Sequence, residues 1–379
     1  MIGLPAEGLF VGRVWRAGVG PSVVVLREGQ VYDVTCREAP TMRDLLEQAD
    51  IPAFLAGIDG ERIGTLDQIA AASVEPDPEV TRLLAPCDLG AVKACGVTFA
   101  GSMVERVIEE RAAGDPARAR AIRERVAAVI GDSLRGLKPG SEKAAEVKRL
   151  LIAEGLWSQY LEVGIGPDAE VFTKGQPMSA VGWGASVGLH PVSAWNNPEP
   201  EVVLAVSPTG RMVGATLGND VNLRDVEGRS ALLLGKAKDN NASAAIGPFV
   251  RIFDAGFGLE QVRRLELALR VEGTDGFVLE GRSSMAEISR DPADLVAQTR
   301  GRHHQYPDGF FLYLGTLFAP VQDRDAPGQG FTHHVGDVVT ITAPELGTLR
   351  NTVRLSTEAP EWTFGTAALM RNLAGRGLL

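Results

Sequence analysis

From Val171 onward, short apolar runs alternate with glycine, proline and asparagine: EVVLAVSP, MVGATLGNDV, LELALRVEG, FVLEG, GFFLYLGT and DVVTITA. Runs of that length between turn residues predict strands, so this part of the chain reads as a β-rich core. One pair is explicit. EVVLAV (201–206) and MVGATL (212–217) flank PTGR, a turn sequence, and predict an antiparallel hairpin. DPADLVAQTRGR is one helix set into the strands, and WTFGTAALMRNLAGRGLL reads as a C-terminal segment with a helical end.

The first part of the chain has a different texture. FVGRVW, SVVVLREG and VYDVT read as short strands, TMRDLLEQ and GTLDQIAAA as helices. They predict a small N-terminal α/β domain over 1–76. AVKACGVTFA is a strand that opens a main domain over 77–379. From about 103 to 160 the apolar positions recur at helical spacing between charges of mixed sign, which predicts a helical insertion with solvated faces. The expected class is α+β, rich in β.

A chain of 379 residues has room for one large domain and a smaller one. Its formal net charge of −10 argues against nucleic acid or an anionic membrane as the main partner. No window is apolar enough to span a bilayer, and the N-terminal stretch lacks the basic and apolar regions of a signal peptide. Cys36, Cys87 and Cys95 have no metal-type spacing, and so sparse a set fits reduced thiols. These features together point to a cytoplasmic protein.

The hairpin carries carboxylates. Glu199 and Glu201 stand two apart and project to one face if the strand begins at the prolines; Asp220 ends the return strand. Three converging carboxylates repel one another unless a cation lies between them. Oxygen ligands alone suit Mg²⁺, Mn²⁺ or Ca²⁺ rather than zinc. The same spacing also fits a solvated acidic edge.

The order of EPE at 199–201, NDVNLRD at 219–225 and KAKDNNASAAIGP at 236–248 resembles the fumarylacetoacetate hydrolase superfamily, as do the later GTLFAP, GDVVTI and LGTLRN segments. The likeness runs over roughly 90–355. It implies that family's mixed β-sheet core, with Glu199, Glu201 and Asp220 as ligands of Mg²⁺ (Mn²⁺ being possible) and a homodimer or homotetramer. The superfamily's hydrolases carry a histidine in a segment that matches TFAGSMVE here, and Ser102 stands in its place. Without that imidazole no obvious base activates water for C–C hydrolysis.

GVTF followed by a serine is similar instead to the superfamily's dehydratases of 2-keto-3-deoxy sugar acids, in the longer bacterial form. That likeness implies dehydration of a 2-keto-3-deoxypentonate (2-keto-3-deoxy-D-xylonate or D-arabinonate) to 2,5-dioxopentanoate. It places Glu170 as the acid–base carboxylate and Lys238, with Lys236 as the alternative, as the lysine that holds substrate oxygen. Thr98, Ser102 and Thr316 become candidate contacts to the substrate carboxylate. Arg224 pairs either with that carboxylate or with Asp225, and Glu105 stands where the hydrolases have a glutamate. The alternative activity is hydrolysis or decarboxylation of acylpyruvate-like diketo acids.

Overall fold

The structure is a computed structural model that describes residues 2–379 except 75, 76, 78, 114, 120, 121, 123–136, 154, 156 and 319; the side chains of 100–102 are also outside the described set. The expected boundary near Pro76 and the middle of the expected helical insertion fall outside the described residues.

Among the described residues, sixteen strands form two sheets. The chain enters with β1 (Phe10–Arg16), β2 (Gly20–Arg27), β3 (Gln30–Asp33), β4 (Glu61–Thr65) and β5 (Arg82–Leu84). It continues through β6 (Ala91–Gly96), β7 (Glu170–Gly175), β8 (Ser186–Leu189), β9 (Pro200–Val206), β10 (Met212–Asp220) and β11 (Ala244–Ile252). The last strands are β12 (Glu266–Glu272), β13 (Val278–Ser284), β14 (Phe310–Tyr313), β15 (Val338–Ala343) and β16 (Gly347–Leu355). The larger sheet runs β4-β3-β2-β1-β11-β10-β9-β14-β6-β7, with β5 against β1; the smaller runs β13-β12-β15-β16-β8. The α+β, β-rich class is the one observed.

Most pairs are antiparallel, and β6–β14 and β8–β16 are parallel. The N-terminal strands join the larger sheet where β1 pairs with β11. The first half also holds a helix and short strands that the sequence reading left out, among them β4 and β5. The helix Ile51–Ala56 starts from Asp50, whose carboxylate accepts from the Ala53 amide, with a proline in the first turn. β4 follows it.

The expected hairpin is β9–β10. Every residue of β9 is buried, because apolar cores lie on both faces of this sheet. Val202, Leu204, Leu217 and Phe249 belong to one core, Val203, Ala205, Val250 and Tyr313 to the other. The helices Ala100–Arg111, Glu142–Ala153 and Gln159–Ile165 build a third, around Met103, Val107, Leu161 and Trp195. It sits beyond the carboxylate end of the hairpin, and the helix Ala100–Arg111 brings polar residues to that end. At the far end of the chain, the helix Thr366–Gly375 docks on the N-terminal strands: Asn372 Nδ2 donates to Val19 O at 2.7 Å. Among the described residues no helix is long and apolar enough to cross a membrane.

Candidate active site and metal centre

The register of the hairpin assembles the three carboxylates. Gly218 faces Glu201 and Asn219 faces Pro200, so Asp220 lies opposite Glu199, and its amide donates to Glu199 O at 3.0 Å. Opposite residues of an antiparallel pair share a face, as do residues two apart. Glu199, Glu201 and Asp220 therefore meet, all buried, with one carboxylate oxygen from each lying within 4.8 Å of the others.

Their surroundings differ. Glu199 receives Arg106 and Lys238. Against the cost of burial, Lys238 and Arg106 hold its carboxyl at about 2. Asp220 receives Lys238 at 3.0 Å and Lys174 at 2.8 Å. Among the described residues Glu201 has only neutral donors, Gly315 N at 2.7 Å and Thr316 Oγ1 at 3.2 Å. Burial, then Asp220 and Glu199, push its carboxyl well above the usual range. Among the described residues no basic side chain forms an ion pair with Glu201.

Lys238 is buried and Lys236 is exposed, so Lys238 is the lysine that reaches the carboxylates. Its Nζ also lies 5.6 Å from the Phe172 ring centroid. Asp220 and Glu199 outweigh burial and keep this ammonium firmly protonated. Lys174 is fully enclosed. It donates to Val221 O at 3.0 Å and to Lys238 O, and burial lowers its pKa.

Glu170 opens β7 and lines a small cavity together with Cys95, Gly96, Val97, Arg106, Phe172, Glu199, Asp220, Glu227, Lys238 and Thr316. Dense protein around the carboxyl, then the charge of Glu227, raise its pKa to about 7; Arg106 and Lys238 act in the opposite sense. A carboxyl poised there exchanges protons near neutrality.

Thr316 lines this cavity. Thr98 is buried beside it, and its hydroxyl donates to Leu314 O at 2.7 Å. Glu105 lies on the helix Ala100–Arg111, and the side chain of Ser102 is outside the described residues. Arg224 is not paired with Asp225, which instead accepts from Ser193 Oγ and the Ala194 amide at 2.7 and 2.8 Å. The Arg224 Nε meets Asn197 Oδ1 at 3.0 Å and Glu109 Oε1 at 3.1 Å, with Trp195 below the guanidinium.

Four charged groups of the site went unrecognised in the sequence. Arg106 bridges Glu199 to Glu109 at 2.6 Å and Glu227 at 3.0 Å. Arg106 and Glu109, three apart on a helix, read as a solvated charge pair. Glu227 lies three residues after Arg224 on the short helix Arg224–Glu227. Lys174 did leave a signal: Glu170, Phe172 and Lys174 alternate along one strand and face one side.

The residues present fit a divalent cation. Glu109, Glu170, Glu199, Glu201, Asp220 and Glu227 stand against Arg106, Lys174, Arg224 and Lys238, so full ionisation leaves two negative charges, the deficit one such ion would cancel. The uncompensated carboxylate is Glu201, and the donors are the hard oxygens that such ions take.

The chain has relatives among known proteins. The chain is 31% identical over 194 residues to a probable 2-keto-3-deoxyxylonate dehydratase of Haloferax volcanii, over 51% of this chain and 63% of the relative. It is 28% identical over 185 residues to a 2-dehydro-3-deoxy-D-arabinonate dehydratase of Saccharolobus solfataricus, over 49% of this chain and 58% of the relative. The chain thus spans less than two thirds of the length of either relative. A solved 2-keto-3-deoxy-D-arabinonate dehydratase, complexed with magnesium and 2,5-dioxopentanoate, shares the fold with a TM-score of 0.63 and 20% identity, covering 92% of this chain and 99% of that one. The family model described as fumarylacetoacetate (FAA) hydrolase C-terminal matches residues 162–354, a span holding Glu170, Lys174, the whole carboxylate hairpin and Lys238. With half of its length matched and the hairpin's carboxylates brought together, the chain belongs to the fumarylacetoacetate hydrolase family.

Proposed function

We propose that this protein is a divalent-metal-dependent hydro-lyase that converts a 2-keto-3-deoxypentonate to 2,5-dioxopentanoate and water. The observation that carries the reading is that Glu170 and Lys238 line one cavity with Glu199 and Asp220. A base and a donor beside a metal-type carboxylate cluster suit proton abstraction next to a carbonyl. The names of the two relatives give the substrate class. D-Xylonate and D-arabinonate lead to the same 3-deoxy acid, because oxidation at C2 and loss of the C3 hydroxyl remove the centres at which they differ.

Glu199, Glu201 and Asp220 would hold the ion, Mg²⁺ in the first instance, and Mn²⁺ accepts the same oxygen donors. When bound, it supplies the Lewis acidity that acidifies the C3 protons of a 2-keto acid. Glu170 removes one of those protons. Lys238 Nζ donates to the C2 oxygen as negative charge builds there. Glu170, now protonated, returns the proton to the C4 hydroxyl, which leaves as water. Proton shifts among C3, C4 and C5 then turn C5 into an aldehyde. Thr316, Thr98 from the strand end before the helix, and Ser102 from the first turn of the helix Ala100–Arg111 are the proposed contacts of the substrate carboxylate. The working assembly is a homodimer or homotetramer.

Among the described residues that line the cavity there is no histidine, which favours elimination over C–C hydrolysis. A pair of coupled assays separates the two. With an added semialdehyde dehydrogenase, 2-keto-3-deoxy-D-xylonate should give NADPH in the presence of Mg²⁺. With lactate dehydrogenase, neither this acid nor an acylpyruvate should give pyruvate. Pyruvate from either substrate would establish C–C cleavage instead.

A further inference from the structure

We infer that Gly96 is the positioning residue for Glu170: the space left by its absent side chain, at the end of β6, is the seat of the Glu170 carboxylate. The register pairs Gly96 with Glu170, the last residue of β6 with the first of β7. Directly opposed residues on antiparallel strands send their side chains to one face. Glu170 folds back across its partner. A Cβ at Gly96 would lie 1.9 Å from Glu170 Oε2, 2.7 Å from its carboxyl carbon and 3.4 Å from Cγ. The three atoms nearest to that position all belong to Glu170.

Conformation does not demand glycine at this position. Gly96 is not among the residues with positive φ, so the backbone accepts a side chain and only space excludes one. The constraint is passed to the next residue. Val97, buried and β-branched, is held at φ +58°, where such residues are rarely found. That turn delivers Thr98, whose hydroxyl donates to Leu314 O and whose carbonyl accepts from the Ser289 amide at 2.8 Å. Anchored on both sides, the strand end has no freedom to move away from Glu170. A methyl group at 96 must therefore move the carboxylate, by more than ~1 Å before it reaches an ordinary contact near 3.4 Å. Displacements of about 1 Å in a reacting group cost on the order of 10²-fold in rate.

The inference rests on Glu170 being the acid–base group, and a double-mutant cycle separates the two claims. Gly96→Ala, Glu170→Ala and the double variant are compared by Tm, kcat, KM and the pH profile. In the parent background Gly96→Ala should lower kcat by about 10²-fold, leave KM within a few-fold, and move the midpoint of the pH profile. In the Glu170→Ala background the same change should alter neither kcat nor Tm, because nothing remains for the methyl group to strike. Equal losses of Tm with and without Glu170, or parent kcat and pH midpoint in Gly96→Ala, overturn the seat. Should Gly96→Ala fail to fold, a folded double variant supports the seat, and an unfolded one overturns it. If Glu170→Ala turns over at the parent rate, the acid–base reading falls, and the Tm cycle still decides the seat.

Discussion

Lys238 sets its ammonium between two carboxylates of the hairpin, donating to Glu199, the residue before β9, and to Asp220 at the end of β10. The contact is buried on both sides. Removing one partner of a buried pair leaves the other charge uncompensated, at a cost of about 3–5 kcal/mol. Lys238→Met should therefore lower Tm in EDTA and abolish turnover. Excess Mg²⁺ should restore part of the stability, since a cation compensates the same carboxylates, and none of the activity. Thermal melts with and without Mg²⁺ check this.

Metal removal should destabilise the parent as well as inactivate it. An ion that binds only the folded chain at 100 times its Kd adds about 2.7 kcal/mol. EDTA should erase the Mg²⁺-dependent rise in Tm, and Glu199→Ala, Glu201→Ala and Asp220→Ala should each weaken Mg²⁺ binding by calorimetry. Glu201→Gln is the most selective variant. It removes the one carboxylate of the three without a basic partner, so the metal-free protein should be at least as stable as the parent while Mg²⁺ affinity drops.

Glu170 predicts the pH profile. Its carboxyl titrates near 7, and only the ionised form accepts a proton from C3. In the free enzyme the reactive fraction thus falls tenfold per unit below that value and is nearly complete above it, so kcat/KM should rise with pH through about 7 and level off. Glu170→Gln should lose roughly 10²–10⁴-fold in kcat, flatten the limb, and leave Mg²⁺ affinity near that of the parent.

Arg224 should separate structure from substrate contact. Its Nε is engaged by Glu109 and Asn197 and its plane lies over Trp195. Lysine has no planar group to lie over Trp195 and no equivalent of Nε. Arg224→Lys is expected to lower Tm, with KM changed far less than stability. A large rise in KM at unchanged Tm would assign Arg224 to the substrate carboxylate instead.

The hairpin was legible because a period of two and a turn sequence fix which residues share a face. The meeting of Asp220 with Glu199 was less so. It depends on register, and β10 shifts register against β9 between Met212 and Gly214 and against β11 between Ala215 and Leu217. No local residue announces such an offset. Arg106 and Glu109 were hidden for a different reason. On an isolated helix they are a charge pair like any other, and only the packing of Met103 and Val107 turns that face inward toward Glu199. The helix Ile51–Ala56 is short, and its apolar run carries too little periodicity to stand out.

The central claim is elimination of water begun by proton loss at C3. Its most direct test is ¹H NMR of 2-keto-3-deoxy-D-xylonate incubated with the protein and Mg²⁺ in deuterated water. The account predicts an aldehyde resonance of 2,5-dioxopentanoate, deuterium at C3 of the product and no pyruvate, with both signals suppressed in Glu170→Gln. Pyruvate as the product, or substrate recovered unchanged and undeuterated from the metal-loaded protein, would contradict it.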